Sequence, residues 1–564
     1  MSWLVGSFTE TEERIRECCP DAPLVSINHK GLVIYAGGNP RTCRHGLLAT
    51  GEAYIALGYP LYLHWDKYIP LCDAKLRELI MQDDIQHKLD GHWLIMLVKE
   101  DSIRIINDSL GKRSLYISTQ QKVSLFTTSL AILKSVVSPE LDFRKTGALW
   151  HTMFPASNDR YSPSHRCSYY NTEMLSPGSV ATISRTSFEV SQSQFLPDSN
   201  KRDIISLLSS CCLAPLNDTT RLAIGLSGGM DIRPLLAIYL GSGVKVSAIY
   251  YGNDDTEDYR IGKQMASDLG FEHHHISFES AESADPWQQA VDYMYSRGIS
   301  ANPIDAPYFG LYRQIAESFN TYVSGYFGEL YRFRFYVAHL LSIFKGKQRN
   351  AADLSAYLYR IPPSIFKPEY ARMLHDGYVD DIRSAFASMP ATIGKPNPFW
   401  YDLFLARYAP MSVVSGTLAA MDEILLDHMP WLQRGIISQH WHNSFAYQLG
   451  EGIHRRAVSQ FYPTLEKYPL SMLHVRAPYY YRQYMVKLKM WKYYRNRPMT
   501  RESRSERFLN RNKENILDLF LSRKVQEYHP YDTAKIDKAL NAFYNGDKSA
   551  ISTILCWLGF ELGR

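Results

Sequence analysis

The sequence predicts a protein of mixed α/β plus α+β class in two domains. Three observations carry this: closely spaced strand signals up to about residue 192, a strand-turn-helix alternation after residue 220, and long helical patterns from about residue 362.

The strand signals are Leu32-Val33-Ile34-Tyr35, Trp93 to Val98, Ile103-Arg104-Ile105-Ile106 and Ser179 to Ile183, short apolar or alternating runs that argue for a mainly antiparallel first domain. Pro197-Asp198-Ser199-Asn200-Lys201 is a polar, turn-rich break, which divides the chain into 1–197 and 198–564. Beyond it come a strand from Leu222 to Leu226, a Gly-rich turn, a helix from about Ile232 to Leu240 and a strand from Val244 to Tyr250. A helix from Asp258 to Leu269 and a strand from His274 to Phe278 follow, as in a parallel sheet covered by helices. His273-His274-His275 is read as a strand edge, because consecutive strand residues point to opposite faces and cannot all meet one metal ion.

With 45% hydrophobic and 21% charged residues the chain is globular, and its 564 residues exceed one ordinary domain of roughly 100–200 residues. No apolar stretch reaches the ~18 residues that a membrane-spanning helix needs, and Met1-Ser2-Trp3 does not open a signal peptide, so no membrane partner and a cytoplasmic location are expected. The eight cysteines contain no C-x-x-C and are expected to be reduced and mostly in the core. Charge is uneven: Arg476 to Asn515 carries twelve Lys or Arg against three Glu, interleaved with aromatics. No RNA-binding motif accompanies this stretch, so a solvated helical face is expected and nucleic acid is not.

The sharpest local signal is Leu226-Ser227-Gly228-Gly229-Met230-Asp231, between a buried strand and a helix. Its glycines let backbone approach a bound group, and successive N–H groups at a helix start attract phosphate. Neither the P-loop nor the dinucleotide fingerprint fits it. Asp231 is expected to hold Mg²⁺ against the phosphates, since a carboxylate alone would repel them.

This turn resembles the SGG-x-D-S pyrophosphate loop of the N-type ATP pyrophosphatases, with Ile232 where that family has Ser. A serine at 232 would restore a hydroxyl donor. Further stretches resemble the class II asparagine-synthetase group: Leu89-Asp90-Gly91-His92-Trp93 with Asp108-Ser109-Leu110-Gly111-Lys112-Arg113-Ser114-Leu115-Tyr116, then Leu175 to Ser179, Tyr251-Gly252-Asn253 with Glu257-Asp258, and Ser324-Gly325-Tyr326-Phe327-Gly328-Glu329. The resemblance spans roughly residues 85 to 335. It implies an N-terminal αββα amidotransferase-like (Ntn-type) domain and a C-terminal ATP-pyrophosphatase synthetase domain with a helical extension. It also implies ATP and Mg²⁺ as cofactors and an acyl-AMP intermediate. Leu226 to Asp231, Tyr251, Gly252 and Gly325 would bind the nucleotide, and Asp231 and Glu329 the metal.

In glutamine-dependent members an N-terminal Cys attacks glutamine; here that position is Ser2, a far weaker nucleophile at neutral pH. The first domain is therefore expected to be a retained structural lobe, with an N-terminal serine hydrolase as the minor alternative. β-Lactam synthetases and lasso-peptide cyclases are relatives that lost the Cys and close rings, and Tyr326 resembles the tyrosine that assists amine deprotonation in the first. Its carboxylate partner there would correspond to Asp427, because a tyrosine of pKa about 10 needs one to act as a base. Lys513 and Lys489 are candidates for the lysine that stabilises the adenylate. Gly328-Glu329-Leu330-Tyr331-Arg332 and Arg455-Arg456…Tyr462-Pro463 instead resemble asparagine-synthetase-like proteins encoded with surface-polysaccharide enzymes. The resulting expectation is an amide synthetase acting on a small molecule or peptide that offers a carboxylate and an amine, with a precursor peptide or protease as partner in the ring-closing case. The alternatives are ammonia-dependent amidation of a small acid or sugar acid, and an inactive peptide-binding scaffold.

Overall fold

The computed structural model describes residues 2–8, 12–119, 125–152, 166–192, 201–332, 351–359, 362–389, 397–440, 442–444, 447, 451–471 and 503–564. Pro197 to Asn200 of the expected break, Lys489 and residues 476–502 of the basic stretch lie outside them.

Two antiparallel sheets build the first part. One has the order β11-β9-β10-β1-β3-β2, from β1 (Trp3–Ser7), β2 (Val25–His29), β3 (Leu32–Gly37), β9 (Tyr116–Ser118), β10 (Leu125–Thr127) and β11 (Thr172–Met174). The other runs β13-β12-β8-β7-β5-β4 with β6 on β5, from β4 (Cys43–Leu47), β5 (Ala53–His64), β6 (Lys67–Ile69), β7 (Leu89–Val98), β8 (Ser102–Asn107), β12 (Ser179–Ser184) and β13 (Phe188–Gln192).

Side chains alternate across each strand, and here both faces are covered. Leu4, Ile34 and Phe126 of the first sheet meet Leu57, Met96 and Ile105 of the second. On the far side of the second sheet, Tyr54, Trp93 and Ile95 pack on Leu76, Leu79 and Ile85 of the helices Asp73–Ile80 and Ile85–Lys88. On the far side of the first, Val5, Val33 and Leu125 pack on Ile132, Leu133 and Val136 of the helix Leu130–Val137. The layers are therefore helix, sheet, sheet, helix. Double coverage explains why Trp93 to Val98 reads as one apolar run: each such side chain gains roughly 1.5–3 kcal/mol on burial whichever way it points.

The third sheet is parallel throughout, in the order β16-β15-β14-β17-β18, with β14 (Leu222–Gly225), β15 (Ser247–Tyr251), β16 (Glu272–Ile276), β17 (Thr321–Val323) and β18 (Leu426–His428). Leu222, Ile224 and Ala248 face the helices Ile204–Leu213, Arg233–Gly241 and Gly452–Phe461. Ala223, Ile249 and Tyr322 face Leu311 and Ile315 of the helix Pro307–Ser318. The three consecutive histidines lie on β16, the edge strand, where His275 Nε2 stands 2.7 Å from the Gly252 carbonyl.

Leu61, Leu63, Tyr68 and Leu110 of the first part belong to the core beneath the parallel sheet. The C-terminal helices likewise close over Phe143 and Trp150 through Leu509, Ile516, Leu540 and Trp557. In the described part of the basic stretch Arg504 pairs with Asp305, Arg507 with Glu279 and Arg511 with Glu282. Four cysteines are buried and Cys72 is exposed, all as free thiols. No described helix is long and apolar enough to cross a membrane.

His428 at the end of β18 is buried, its Nε2 3.0 Å from the Cys211 carbonyl, and burial pushes its pKa down to about 3. Below about pH 6.5 the unfolded chain binds a proton at this residue that the folded chain does not, so stability falls as pH falls through that window. Each pH unit costs up to about 1.4 kcal/mol from this residue. Thermal unfolding is expected to show a lower midpoint at pH 5 than at pH 7, with a shallower decline in His428→Gln. Equal declines in the two proteins would contradict this role.

Candidate functional site

β15, β14 and β17 are neighbours and parallel, so the segments at their C-terminal ends converge: Tyr251-Gly252, Leu226 to Asp231, and Ser324 to Glu329. Ligand crevices of open parallel sheets lie at this edge.

The first loop is fixed from below. Leu226 is buried and its N–H donates to the Ile249 carbonyl at 2.8 Å, while Ser227 Oγ accepts from the Gly229 N–H at 3.1 Å. A Cβ on Gly228 would stand 2.9 Å from the Ser471 side chain, so this position admits only glycine. Among the described residues a Cβ on Gly229 would meet nothing within 4 Å but Ser227 Oγ, so none of them covers the other side of the turn. Met230 and Ile232 point into the core. The fully buried Arg233 donates to the Gly228 carbonyl at 3.2 Å and to the Tyr468 and Pro469 carbonyls at 2.7 Å each. Ile232→Ser thus removes core packing as well as adding a hydroxyl, a change expected to cost on the order of 1–3 kcal/mol. The sequence alone shows only the missing donor.

The second loop packs onto the first through its glycines. A Cβ on Gly325 would be 2.9 Å from the Ile232 nitrogen, and one on Gly328 2.8 Å from Asp231 Oδ1. Between them Phe327 takes φ +67°, a left-handed conformation costly for a bulky residue, and is buried. That twist leaves Tyr326 40% exposed, at the surface of the loop. Tyr251 stacks edge-on against Tyr308 and Phe278, with Gly252 at φ +125° after it.

Asp231 is the hub of the site. Its Oδ2 lies 2.6 Å from Arg332 Nη2, its Oδ1 3.4 Å from His454 Nε2, and its carbonyl accepts from Trp431 Nε1 at 2.8 Å. Trp431 stacks on His454 at 4.6 Å. Burial opposes the charge on Arg332, but Asp231, Glu451 and Glu329 outweigh it and hold the guanidinium above its ordinary pKa. Burial pushes the pKa of the His454 imidazole down against the pull of the Asp231 carboxylate. Arg332, Trp431, His454 and Arg233 are site residues that sequence reasoning misses. Arg332 lies within the Gly328 to Arg332 run, but nothing in its spacing announces that it folds back on Asp231.

The remaining candidates lie elsewhere. Asp427 stands in register with Tyr322 on β17, four residues before Tyr326, and is buried; its Oδ1 has no hydrogen-bond partner among the described residues. Burial, with the nearby Asp422 charge, pushes its carboxyl well above the ordinary range. Lys513 is exposed among the C-terminal helices, its Nζ 4.9 Å above the Tyr544 ring, and is not brought to the loops. Among the described residues the structure sets Arg332 and Arg233 beside the loop, Arg332 on the Asp231 carboxylate and Arg233 on the Gly228 carbonyl.

Among the described residues no group of three or more His, Cys, Asp or Glu is arranged to hold a metal ion. Mg²⁺ at nucleotide sites takes one or two protein carboxylates and completes its shell with phosphates and water. Gly328 presses the second loop, in which Glu329 is the next residue, against the Asp231 carboxyl, so these are the two carboxylates of the loops that such an ion would have to use.

Ser2 is 1% exposed; its Oγ bonds to Thr42 Oγ1 and donates to the Asp422 carbonyl at 3.3 Å. The signature residues around it join the two parts. Asp90 accepts from the N–H groups of Arg434 and Gly435 at 2.9 Å each, capping the helix Arg434–His440, and from Tyr68 Oη at 2.7 Å. Gly91, at φ +88°, is where β7 comes closest to Tyr59 of β5: a Cβ there would be 2.1 Å from that carbonyl. Lys112 Nζ donates to the Leu432 carbonyl at 2.8 Å.

Residues 205–328 match the asparagine synthase family model. That span contains β14, β15, β16 and β17 and ends inside the second loop. The family consists of ATP-dependent carbon-nitrogen ligases, so the match supports ligase-type chemistry. No curated protein matches the chain. Two similar solved structures are an allosteric regulatory enzyme of purine biosynthesis (11% identity, TM-score 0.22, covering 49% of this chain and 74% of that one) and the glutamine phosphoribosylpyrophosphate amidotransferase from B. subtilis complexed with ADP and GMP (13%, 0.21, 49% and 59%). At such scores they carry no weight beside the sheet order itself.

Proposed function

We propose that the chain is an ATP-dependent amide synthetase that adenylates a carboxylate and joins it to an amine whose nitrogen does not come from glutamine. What supports this most is the Leu226 to Asp231 loop, clamped from below by Arg233, open at Gly229 and roofed by Ser324 to Glu329, within the segment that matches the asparagine synthase family.

In the first step a carboxylate oxygen bonds to the α-phosphorus of ATP, the bond to the β-bridging oxygen breaks, and pyrophosphate leaves into the loop. The Ser227 hydroxyl and the N–H groups of the turn receive it, while Tyr251, Gly252 and Gly325 border the nucleotide. Asp231 and Glu329 would hold Mg²⁺, which supplies positive charge against the phosphates. In the second step the amine nitrogen bonds to the acyl carbon and AMP departs with the electrons of the broken C–O bond. The amine proton passes to a base, for which the solvent-facing Tyr326 is the candidate. Asp427, in register with Tyr322 on the neighbouring strand, is the candidate carboxylate partner of Tyr326. A ring-closing cyclase of lactam or macrolactam type is the finer form of the proposal. The Gly328 to Arg332 run, whose arginine holds Asp231, favours ammonia-dependent amidation of a small or sugar acid as the second reading.

Incubation with ATP, Mg²⁺ and carboxylates drawn from short peptides, amino acids and sugar acids, with and without ammonium, is expected to give pyrophosphate and AMP in equal amounts. A product made without ammonium identifies the cyclase. ATP cleavage to ADP would overturn the proposal. Because the Ser2 hydroxyl is buried in a bonded seat, the protein is expected not to convert glutamine to glutamate, and Ser2→Ala to keep its amide synthesis within about twofold. Loss of glutamine-supported turnover alone in Ser2→Ala would show a working N-terminal nucleophile.

A further inference from the structure

A second site lies away from the loops, at the seam between the first sheet and the helices beyond it. Here a cavity of about 110 Å³ is bordered by Arg113, Lys145, Arg166 and Arg297, with no Asp or Glu among the described residues of its wall. That volume exceeds the ~30 Å³ share of a single liquid water and accepts a phosphate-sized or short-chain molecule.

Two of these cations are neutralised from behind. Arg113 Nη2 is 3.2 Å from Asp422 Oδ2, and Arg166 Nε 3.4 Å from Asp381 Oδ1. Lys145 Nζ reaches only the Thr172 carbonyl, at 3.3 Å, and Arg297 has no carboxylate partner among the described residues. Among the described residues two positive charges therefore have no counter-charge within ion-pair distance. Arg113, moreover, is 1% exposed, and its Nε and Nη1 have no hydrogen-bond partner among the described residues, although a buried donor left unmade costs about 1–3 kcal/mol, more when charged. Arg297 is seated by the absence of a side chain at Gly416, where a Cβ would fall 1.5 Å from its Nη1. Guanidinium forks present paired donors that match the oxygens of carboxylate and phosphate.

We propose that this cavity binds a small dianionic oxyanion, a phosphate or a short dicarboxylate, whose oxygens satisfy Arg113 and Arg297 and whose two charges balance Lys145 and Arg297. The site shares no residue with the pyrophosphate loop, so it stands apart from the proposed ATP chemistry. Titration calorimetry and thermal unfolding with inorganic phosphate and with succinate, each against sodium chloride at equal ionic strength, test it. At least one dianion is expected to bind and raise the unfolding midpoint. Arg297→Gln, or Lys145→Gln if the former does not fold, is expected to weaken binding at least tenfold, whereas Asp231→Asn leaves it unchanged. Preference for phosphate or succinate identifies the source of the oxyanion. Failure of both dianions to exceed chloride, or equal binding by the folded cavity variants, or loss of binding with Asp231→Asn, would overturn the site.

Discussion

Asp231→Asn is expected to lower substrate-dependent pyrophosphate release by more than about 100-fold, the scale on which single preorganised charges act in group transfer. The substitution keeps the shape of the turn but removes the negative charge expected to hold Mg²⁺ and the counter-charge of Arg332, 2.6 Å away. The structure adds a consequence that the sequence does not carry. Arg332 is buried, so an uncharged neighbour leaves a guanidinium that faces, among the described carboxylates, Glu451, at 3.8 Å, and Glu329, at a cost on the order of 3 kcal/mol. Activity and stability should therefore fall together in Asp231→Asn. In Asp231→Asn with Arg332→Met the stability should return in part and the activity should not. Turnover near the parent level in the single variant would remove Leu226 to Asp231 from the nucleotide site.

Much of the fold was legible because its signals are local. The parallel sheet follows from apolar runs separated by helical periods, and β14, β15 and β16 fall within a few residues of the expected strands. The αββα layering came from motif resemblance and is met by cores on both outer faces of the two antiparallel sheets. The pyrophosphate-like turn was legible because glycine and serine there answer to local geometry. What stayed hidden depends on distant contacts. Arg332 and His454 converge on Asp231 from positions 101 and 223 residues later, joined only by folding. Asp427 as the partner of Tyr326 came from resemblance alone, because spacing does not reveal which face of β18 it occupies; its register sets it beside Tyr322, four residues before Tyr326. Lys513, a candidate for its place near the C-terminus, is on the exposed side of the helix Lys513–Leu521.

Asp422→Ala is expected to be the most destabilising single change at the contact between the two parts. Asp422 is fully buried; its carboxylate lies 2.8 Å from His92 Nε2 and 3.2 Å from Arg113 Nη2, while its carbonyl accepts the hydroxyls of Ser2 and Thr42. His92 and Arg113 belong to the amidotransferase-like signatures and Asp422 to the synthetase side, so one carboxylate serves both. Alanine keeps the carbonyl and its two hydroxyl donors but strands a buried guanidinium and an imidazole, which costs about 3–5 kcal/mol. Asp90→Ala, by contrast, removes a helix cap, one tyrosine partner and one of the two carboxylates whose charge favours the buried Lys112, but leaves Asp108 beside that lysine, and should cost about 2 kcal/mol. Thermal unfolding should rank the variants Asp422→Ala below Asp90→Ala below the parent, with Ser2→Ala close to the parent. Asp422→Leu with Arg113→Met, which removes both charges, should recover part of the loss. That ranking is what a lobe kept for packing demands: its signature residues hold the synthetase half while its N-terminal hydroxyl is dispensable. If Asp422→Ala melts within about 1 °C of the parent, the signature residues are not retained for this contact, and a catalytic reason for the lobe has to be sought at Ser2.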